Sequence, residues 1–183
     1  MPTDDHPTRT ALLDAGLTLA EDDGLASISV DRIVAAAGVA KGTFYVHFAD
    51  RETYLVALHR EFHDRLRDAI RQASAELPPG RDRIVASTTA YLDGCLAATG
   101  VKGVLTRARG VPEIADEVTA SNDRFARAAS SDFVALGSPL PLETARLYVA
   151  MTAEVAALEA HAGRRIPRLR RALALQLDVT AAS

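Results

Sequence analysis

Ser29-Val-Asp-Arg-Ile-Val-Ala-Ala-Ala-Gly-Val-Ala-Lys-Gly-Thr-Phe-Tyr-Val-His-Phe48 is the stretch on which the reading of this chain turns. Ser29 suits a helix N-cap, because its hydroxyl accepts a free backbone N–H, and Asp31 sits favourably near the positive helix end. Gly38 suits the left-handed residue that ends such a helix. A second short helix, about Ala40 to His47, follows at once. Ile33, Ala37, Val39, Phe44 and Phe48 are expected to bury together and fix the angle between the two, with Ala35 and Ala36 letting backbones approach. Lys41, Gly42, Thr43, Tyr45 and His47 then project outward. A short helix with a small, hydroxyl-rich and weakly basic face fits the DNA major groove, so the pair reads as a helix-turn-helix.

Outward from this motif the helical period dominates. No run of four to eight residues alternates cleanly between apolar and polar, and the fold class is read as all-α. About nine helices are expected. The first runs from about Pro7 to Asp23 and stops at Gly24. Asp50 caps a long fourth helix reaching about Glu76, in which Leu55, Leu58, Phe62, Leu66, Ala69, Ile70 and Ala73 form one apolar stripe. Further segments follow at Arg81–Thr99, Val101–Arg109, Pro112–Leu136 and Pro141–Ala162, and a last helix starts near Pro167. The domain boundary is placed at 49/50. Residues 1–49 form a three-helix DNA-binding domain, and 50–183 a larger helical domain for ligand binding and dimerisation.

Composition narrows the function classes. The 183 residues are 48% hydrophobic and 25% charged, ordinary globular usage. The longest uncharged stretch, Phe133 to Leu142, is far shorter than the roughly 20 apolar residues of a membrane span, so no bilayer crossing is expected. The acidic start carries no apolar secretory segment, and a cytoplasmic protein is expected. One cysteine, Cys95, makes neither an internal disulfide nor a zinc cluster. Net charge is −3, against bulk attraction to nucleic acid. Residues 27–51, however, hold Arg32, Lys41 and Arg51 against Asp31 and Asp50, so DNA binding must be the work of a small local patch.

Arg9 through Leu55 resembles the DNA-binding domain of the TetR family of bacterial transcriptional regulators. Ala-Ala-Gly-Val-Ala-Lys-Gly-Thr-Phe-Tyr-Val-His-Phe at 36–48 and Asp-Arg-Glu-Thr-Tyr-Leu at 50–55 carry the resemblance. Val34 departs from the usual small alanine and Arg51 from the usual lysine. The resemblance implies that Lys41 and Thr43 face base edges or the backbone around them, and that Tyr45, His47 and Arg51 grip phosphates. Arg9 and Ser29 would do so from the flank, and Gly42 would let the backbone come close to the duplex. The alternatives are that Tyr45 covers the turn and that His47 bonds a local carbonyl. With about three to five cations per subunit, a two-fold dimer reaches about six to ten phosphate contacts, where specific binding becomes practical. A homodimer reading a palindromic operator is therefore expected, with a log–log salt slope of roughly −5 to −8.

The resemblance also implies a small-molecule pocket in the second domain, whose occupation releases the operator. Ser87, Thr88, Tyr91 and Cys95 share a helix face, His59 and His63 lie on or beside the fourth helix's stripe, and Phe62, Phe125, Phe133, Tyr148 and Met151 supply bulk. Such a lining suits a largely apolar effector, or the same residues simply pack. Asp132 reads as a pocket anchor or a surface cap. The helix Leu142–Ala162 is apolar nearly all round, which is either core on both sides or core on one side and a dimer partner on the other. The resemblance favours the second, with Leu147, Met151, Val155 and Leu158 joined by Leu169, Leu173 and Leu177 in a four-helix interface. In the arginine-rich run Arg164 to Arg171, Arg164, Arg165, Arg168 and Arg171 lie opposite Ile166, Leu169 and Leu173 on a helical wheel and are read as a solvated face.

No phosphate-binding glycine loop, no G-x-S-x-G and no base for Cys95 is present, so the chain is not read as an enzyme, and neither a cofactor nor a metal is expected. The weaker readings are a regulator answering to a protein partner, and a hydrolase built on His59 and His63, whose i, i+4 spacing lacks the H-E-x-x-H order.

Overall fold

A computed structural model describes residues 6–23, 29–101 and 112–181. Every regular element among them is a helix: α1 Pro7–Asp23, α2 Val30–Ala37, α3 Lys41–His47, α4 Arg51–Ser74, α5 Arg81–Ala97, α6 Pro112–Ala135, α7 Pro141–Ala162 and α8 Pro167–Ala181. The expected short helix Val101–Arg109 lies, apart from Val101, outside the described residues, as does Gly24. No described helix is long and apolar enough to cross a membrane.

The chain packs as two compact units, one of residues 1–63 and 98–118, the other of 64–97 and 119–183. This division falls inside α4, between His63 and Asp64, and not at the functional boundary expected at 49/50, because the first turns of α4 carry core residues of the first unit.

In the first unit Leu12, Ile33, Phe44, Phe48, Tyr54, Leu55 and Leu58 are buried. The rings of Phe44, Phe48 and Tyr54 stack within 5.0–5.4 Å of one another, centroid to centroid. The Tyr54 hydroxyl donates to the Leu12 carbonyl at 2.8 Å, which ties α4 to α1. Gly16 makes room for that phenol, since a Cβ there would stand 1.8 Å from its oxygen. Asp50 caps α4 by accepting from the Thr53 N–H at 2.7 Å, and that N–H holds its carboxyl below the usual range.

The second unit buries Leu66, Ile84, Leu92, Cys95, Phe133, Tyr148, Val155, Leu173 and Leu177. Pro141 starts α7, and Gly163, at φ 61°, ends it in the left-handed conformation that suits glycine. The Glu159 carboxylate, 1% exposed, accepts from the Ile166 N–H at 2.7 Å and from Arg170 Nη2 at 2.6 Å. Burial alone would raise its pKa, but Arg170 and that N–H overcome burial and hold it low. Arg170 and Arg165 also reach Asp93, at 2.7 and 2.9 Å. Arg164, Arg165, Arg168 and Arg171 are all exposed, while Arg170 is half-buried and, with Arg165, fastens α8 and the turn before it to α5 and α7.

Candidate nucleic-acid interface and cavity

The helix pair α2–α3 forms as its end signals require. The Ser29 hydroxyl accepts from the Arg32 N–H, and Gly38 at φ 68° lets the Val39 N–H reach back to the Val34 carbonyl at 3.0 Å. Ile33, Val34, Phe44 and Phe48 are buried, whereas Ala37 and Val39 are half-buried. Ala35 and Ala36 are exposed, so the close approach expected of them is not made, and the contact with the core is carried by the side chains of Ile33 and Val34.

With Phe44 turned inward, α3 offers solvent Lys41, Gly42, Tyr45 and Val46, with Thr43 and His47 half-buried at its margins. Tyr45 is 51% exposed, its ring set edge-on to Phe44 at 5.3 Å. A Cβ on Gly42 would meet nothing within 4 Å. The protein itself therefore gives no steric reason for a glycine at this point of a helix. Lys41 Nζ lies 2.8 Å from Asp31, an exposed pair that raises the lysine pKa and that a phosphate can replace.

The start of α1 flanks the end of α3. Arg9 stands 5.4 Å over the Phe48 ring, and the His47 ring is 4.9 Å from that of His6. Burial, with the nearby His6 and Arg9 adding to it, pushes the His47 imidazole below its ordinary 6.5. Arg51 is exposed on the first turn of α4. Arg9, Ser29 and His47 are thus each engaged locally, while Tyr45 and Gly42 are open. Val46, 79% exposed, was not singled out in the sequence, although an apolar side chain on a seven-residue helix between Tyr45 and His47 is the signal that marks it.

The second unit forms a half-open cavity of about 480 Å³. Of the candidates read from sequence, Ser87, Thr88, Tyr91, Phe125 and Tyr148 line it. Tyr91 and Phe125 meet edge to face at 5.7 Å, and the Thr88 hydroxyl donates to that of Tyr148 at 3.4 Å. The other candidates stand elsewhere. Cys95 is fully buried, Phe133 is core behind Tyr148, and Met151 is 39% exposed. His59, Phe62 and His63 belong to the first unit, buried on α4 with the two imidazoles 4.3 Å apart. Among the described residues no group of three His, Cys, Asp or Glu side chains is arranged to hold a metal ion. Asp132, 4% exposed on the cavity wall, accepts from the Gly80 N–H at 2.9 Å and from Arg83 Nε at 2.6 Å. Arg67, Arg71, Ser74, Arg83, Asn122, Ser131 and Thr152 also line it and were not foreseen.

On α7 the faces separate cleanly. Ala145, Tyr148, Thr152, Val155, Ala156 and Glu159 are buried, and Leu147, Ala150, Met151 and Leu158 are exposed. Of the dimer candidates, Leu147, Met151 and Leu158 therefore lie on open surface. Leu169 is half-buried, and Val155, Leu173 and Leu177 are spent on the unit's own core. On α8, Leu175 is 51% exposed.

Residues 12–58 match the family model described as bacterial regulatory proteins, tetR family. The chain is 26% identical over 129 residues to the HTH-type transcriptional repressor NemR of Escherichia coli K12, covering 67% of this chain. That match spans 63% of NemR, less than two thirds of its length. Over 51 residues, 28% of this chain and 23% of the relative, it is 41% identical to the uncharacterized HTH-type transcriptional regulator YwcC of Bacillus subtilis. A transcriptional regulator from Rhodococcus shares the fold at TM-score 0.79 with 19% identity, the match covering 94% of this chain and 95% of that one.

Proposed function

Taking the chain as a member of the TetR family of bacterial regulatory proteins, we propose that it is a ligand-responsive DNA-binding transcriptional regulator. It acts as a repressor, binds a palindromic operator as a homodimer, and is released by a small, largely apolar effector. The observation that carries this reading is the α3 surface, where Tyr45 stands open beside a glycine that packing does not require.

Seated in the major groove, α3 would bring Lys41 and Thr43 to base edges, with Lys41 exchanging Asp31 for the duplex. Val46 would supply apolar contact of the kind a thymine methyl accepts. Tyr45, His47 and Arg51 would hold phosphates, with Arg9 and Ser29 at the flank. The exposed row Leu147, Ala150, Met151 and Leu158 would pair two subunits and double a modest cationic patch. Repression has the support of the name of one relative, NemR. The cavity supports the effector, since about 480 Å³ lies within the range of small-molecule sites. α4 supplies 51–63 to the first unit, directly after α3, and its last turns to the cavity wall. A ligand that favours one setting of α4 would thereby bias operator affinity, by a few kcal/mol at most.

The test is selection of bound DNA from a random pool by the full chain. A palindromic consensus is expected, bound with a log–log salt slope of roughly −5 to −8. Tyr45→Ala and Lys41→Ala should each weaken binding at least about tenfold with thermal unfolding nearly unchanged, because both side chains are exposed. A pool that yields no consensus, or variants that bind as the parent does, refutes the reading.

A further inference from the structure

The cavity wall is balanced in charge pair by pair. Arg67 is held by Asp64, Arg71 by Asp68 at 2.7 Å and Arg83 by Asp132 at 2.6 Å. An ionic ligand would therefore shed its water and meet no unspent counter-charge. Most of the neutral polar groups of the wall are spent as well. Ser74 and Thr152 donate to the Ile70 and Tyr148 carbonyls at 2.8 and 2.9 Å, Ser131 accepts from Arg83, and Thr88 donates to the Tyr148 hydroxyl. Two are open. The Ser87 hydroxyl and the Asn122 amide make no hydrogen bond among the described residues, yet neither is sealed in the core. Both face the cavity by helical period. Ser87 shares its side of α5 with Arg83 and Tyr91, and Asn122 shares its side of α6 with Phe125 and Ala129, all of them cavity residues. The Tyr91 and Phe125 rings meet edge to face at 5.7 Å. Each open polar group stands about one helix turn, roughly 5.4 Å, from the ring that follows it on its own helix.

We propose that this cavity takes an uncharged aromatic carboxamide, whose amide group pairs with Asn122 and Ser87 while its ring lies against Tyr91 and Phe125. An asparagine amide both donates and accepts, and so does a hydroxyl. A ligand that only accepts, or only donates, leaves half of that capacity to water, whereas a carboxamide answers both with one small group. The single turn between each polar group and its ring sets the amide directly on an aromatic ring and not at the end of a long chain. Ile70, Ile84 and Val149 cover the rest of the body. At the roughly 30 Å³ that a water molecule occupies in the liquid, a cavity of about 480 Å³ has room for on the order of 16 non-hydrogen atoms, the size of two joined benzene rings and a carboxamide. This assignment rests on the reading of the cavity as the effector site, and it adds the polar group by which the effector is recognised.

The test is equilibrium dialysis of the full chain against three compounds of one size: biphenyl-4-carboxamide, biphenyl-4-carboxylate and 4-isopropylbiphenyl. The amide should bind saturably and roughly tenfold or more tighter than either of the others, the combined worth of two neutral hydrogen bonds. The order is diagnostic, because a cavity that selects only for apolar surface prefers the isopropyl compound. Asn122→Leu should bring the amide to within about threefold of the isopropyl compound, whose unchanged binding reports an intact cavity. Ser87→Ala, the smaller change, should independently cost the amide about threefold. The proposal is overturned if the amide does not bind, if the acid or the isopropyl compound binds as tightly, or if either variant keeps the whole preference. Operator affinity, read separately with and without the amide, distinguishes this assignment from the effector reading. Asn122-dependent binding that leaves the operator bound upholds the carboxamide site and removes the release mechanism, and release by the isopropyl compound as readily as by the amide does the reverse.

Discussion

Gly42→Ala separates what α3 needs for folding from what it needs for a partner. A Cβ at this position meets nothing within 4 Å, and Gly42 is not among the glycines held at positive φ, so alanine enters without strain. Alanine is the better helix former by about 0.5–1 kcal/mol in a helix interior. Gly42 is the second residue of α3, so the lower end applies. At about 2–4 °C per kcal/mol for a chain of this size, the melting temperature should rise by about 1–2 °C. On DNA the sign reverses. If the α3 backbone lies against the duplex at Gly42, the added methyl overpacks a close contact, at a cost of about 1–3 kcal/mol per subunit. Two subunits incur it together, so operator affinity should fall at least roughly 30-fold. Fluorescence anisotropy with a selected operator at fixed salt, run beside a thermal melt, measures both effects. Affinity within about threefold of the parent would show that Gly42 does not face the duplex. A fall in melting temperature would show that the space around it is not open.

Three further outcomes follow from the side chains described. His47, depressed below 6.5 by burial, His6 and Arg9, is neutral near pH 7 in the free chain, and a phosphate would draw its pKa up. Binding then takes up a proton, so operator affinity should rise as pH falls through the region at and below 6.5, and His47→Gln should flatten the profile; a parent profile already flat refutes the contact. Glu159→Gln leaves Arg170 without its buried anionic partner, and should lower stability by about 2–3 kcal/mol, roughly 5–10 °C in a melt. Because the Glu159 pKa is depressed in the fold, its contribution is present above 4.5 and lost as pH falls below that value, so the deficit of the variant should shrink in acid. Met151→Glu places a charge in the exposed row of α7 and should weaken self-association about 100-fold or more by sedimentation, with operator affinity falling alongside; an unchanged dimer would place the interface elsewhere.

The helix plan was legible because its punctuation is local. Ser29, Gly38, Asp50, Pro141 and Gly163 act within three or four residues of themselves, and each marks a helix end where expected. The face of α3 was legible for the same reason, since in seven residues only Phe44 is apolar and large enough to anchor the helix, which leaves Tyr45 outside. Burial in the second unit was harder. Leu173 and Leu177 look like any apolar stripe, and nothing in their spacing says whether their own unit or another subunit covers them; both lie in the core. Ala69 and Ala73 continue the α4 stripe by period yet are exposed, because the stripe ceases to be core beyond Leu66.

The cavity was the least legible feature, and its arginines show why. Arg67 and Arg71 each follow an aspartate at three residues, Asp64 and Asp68, and such pairs read as a solvated helix flank. In the structure Arg67, Ile70, Arg71 and Ser74 share the α4 face that lines the cavity, where the apolar stripe has given way to polar side chains. Periodicity locates the centre of an apolar face well, because many residues vote for it. A binding cavity sits at the edge of such a face, where one residue of drift along the helix decides whether a guanidinium meets water or a ligand. Arg67 lines the cavity while its Nη2 rests on an aspartate that is 52% exposed. Spacing alone does not say which side of a guanidinium is covered, so no reading of the α4 period could have placed Arg67 on the cavity wall.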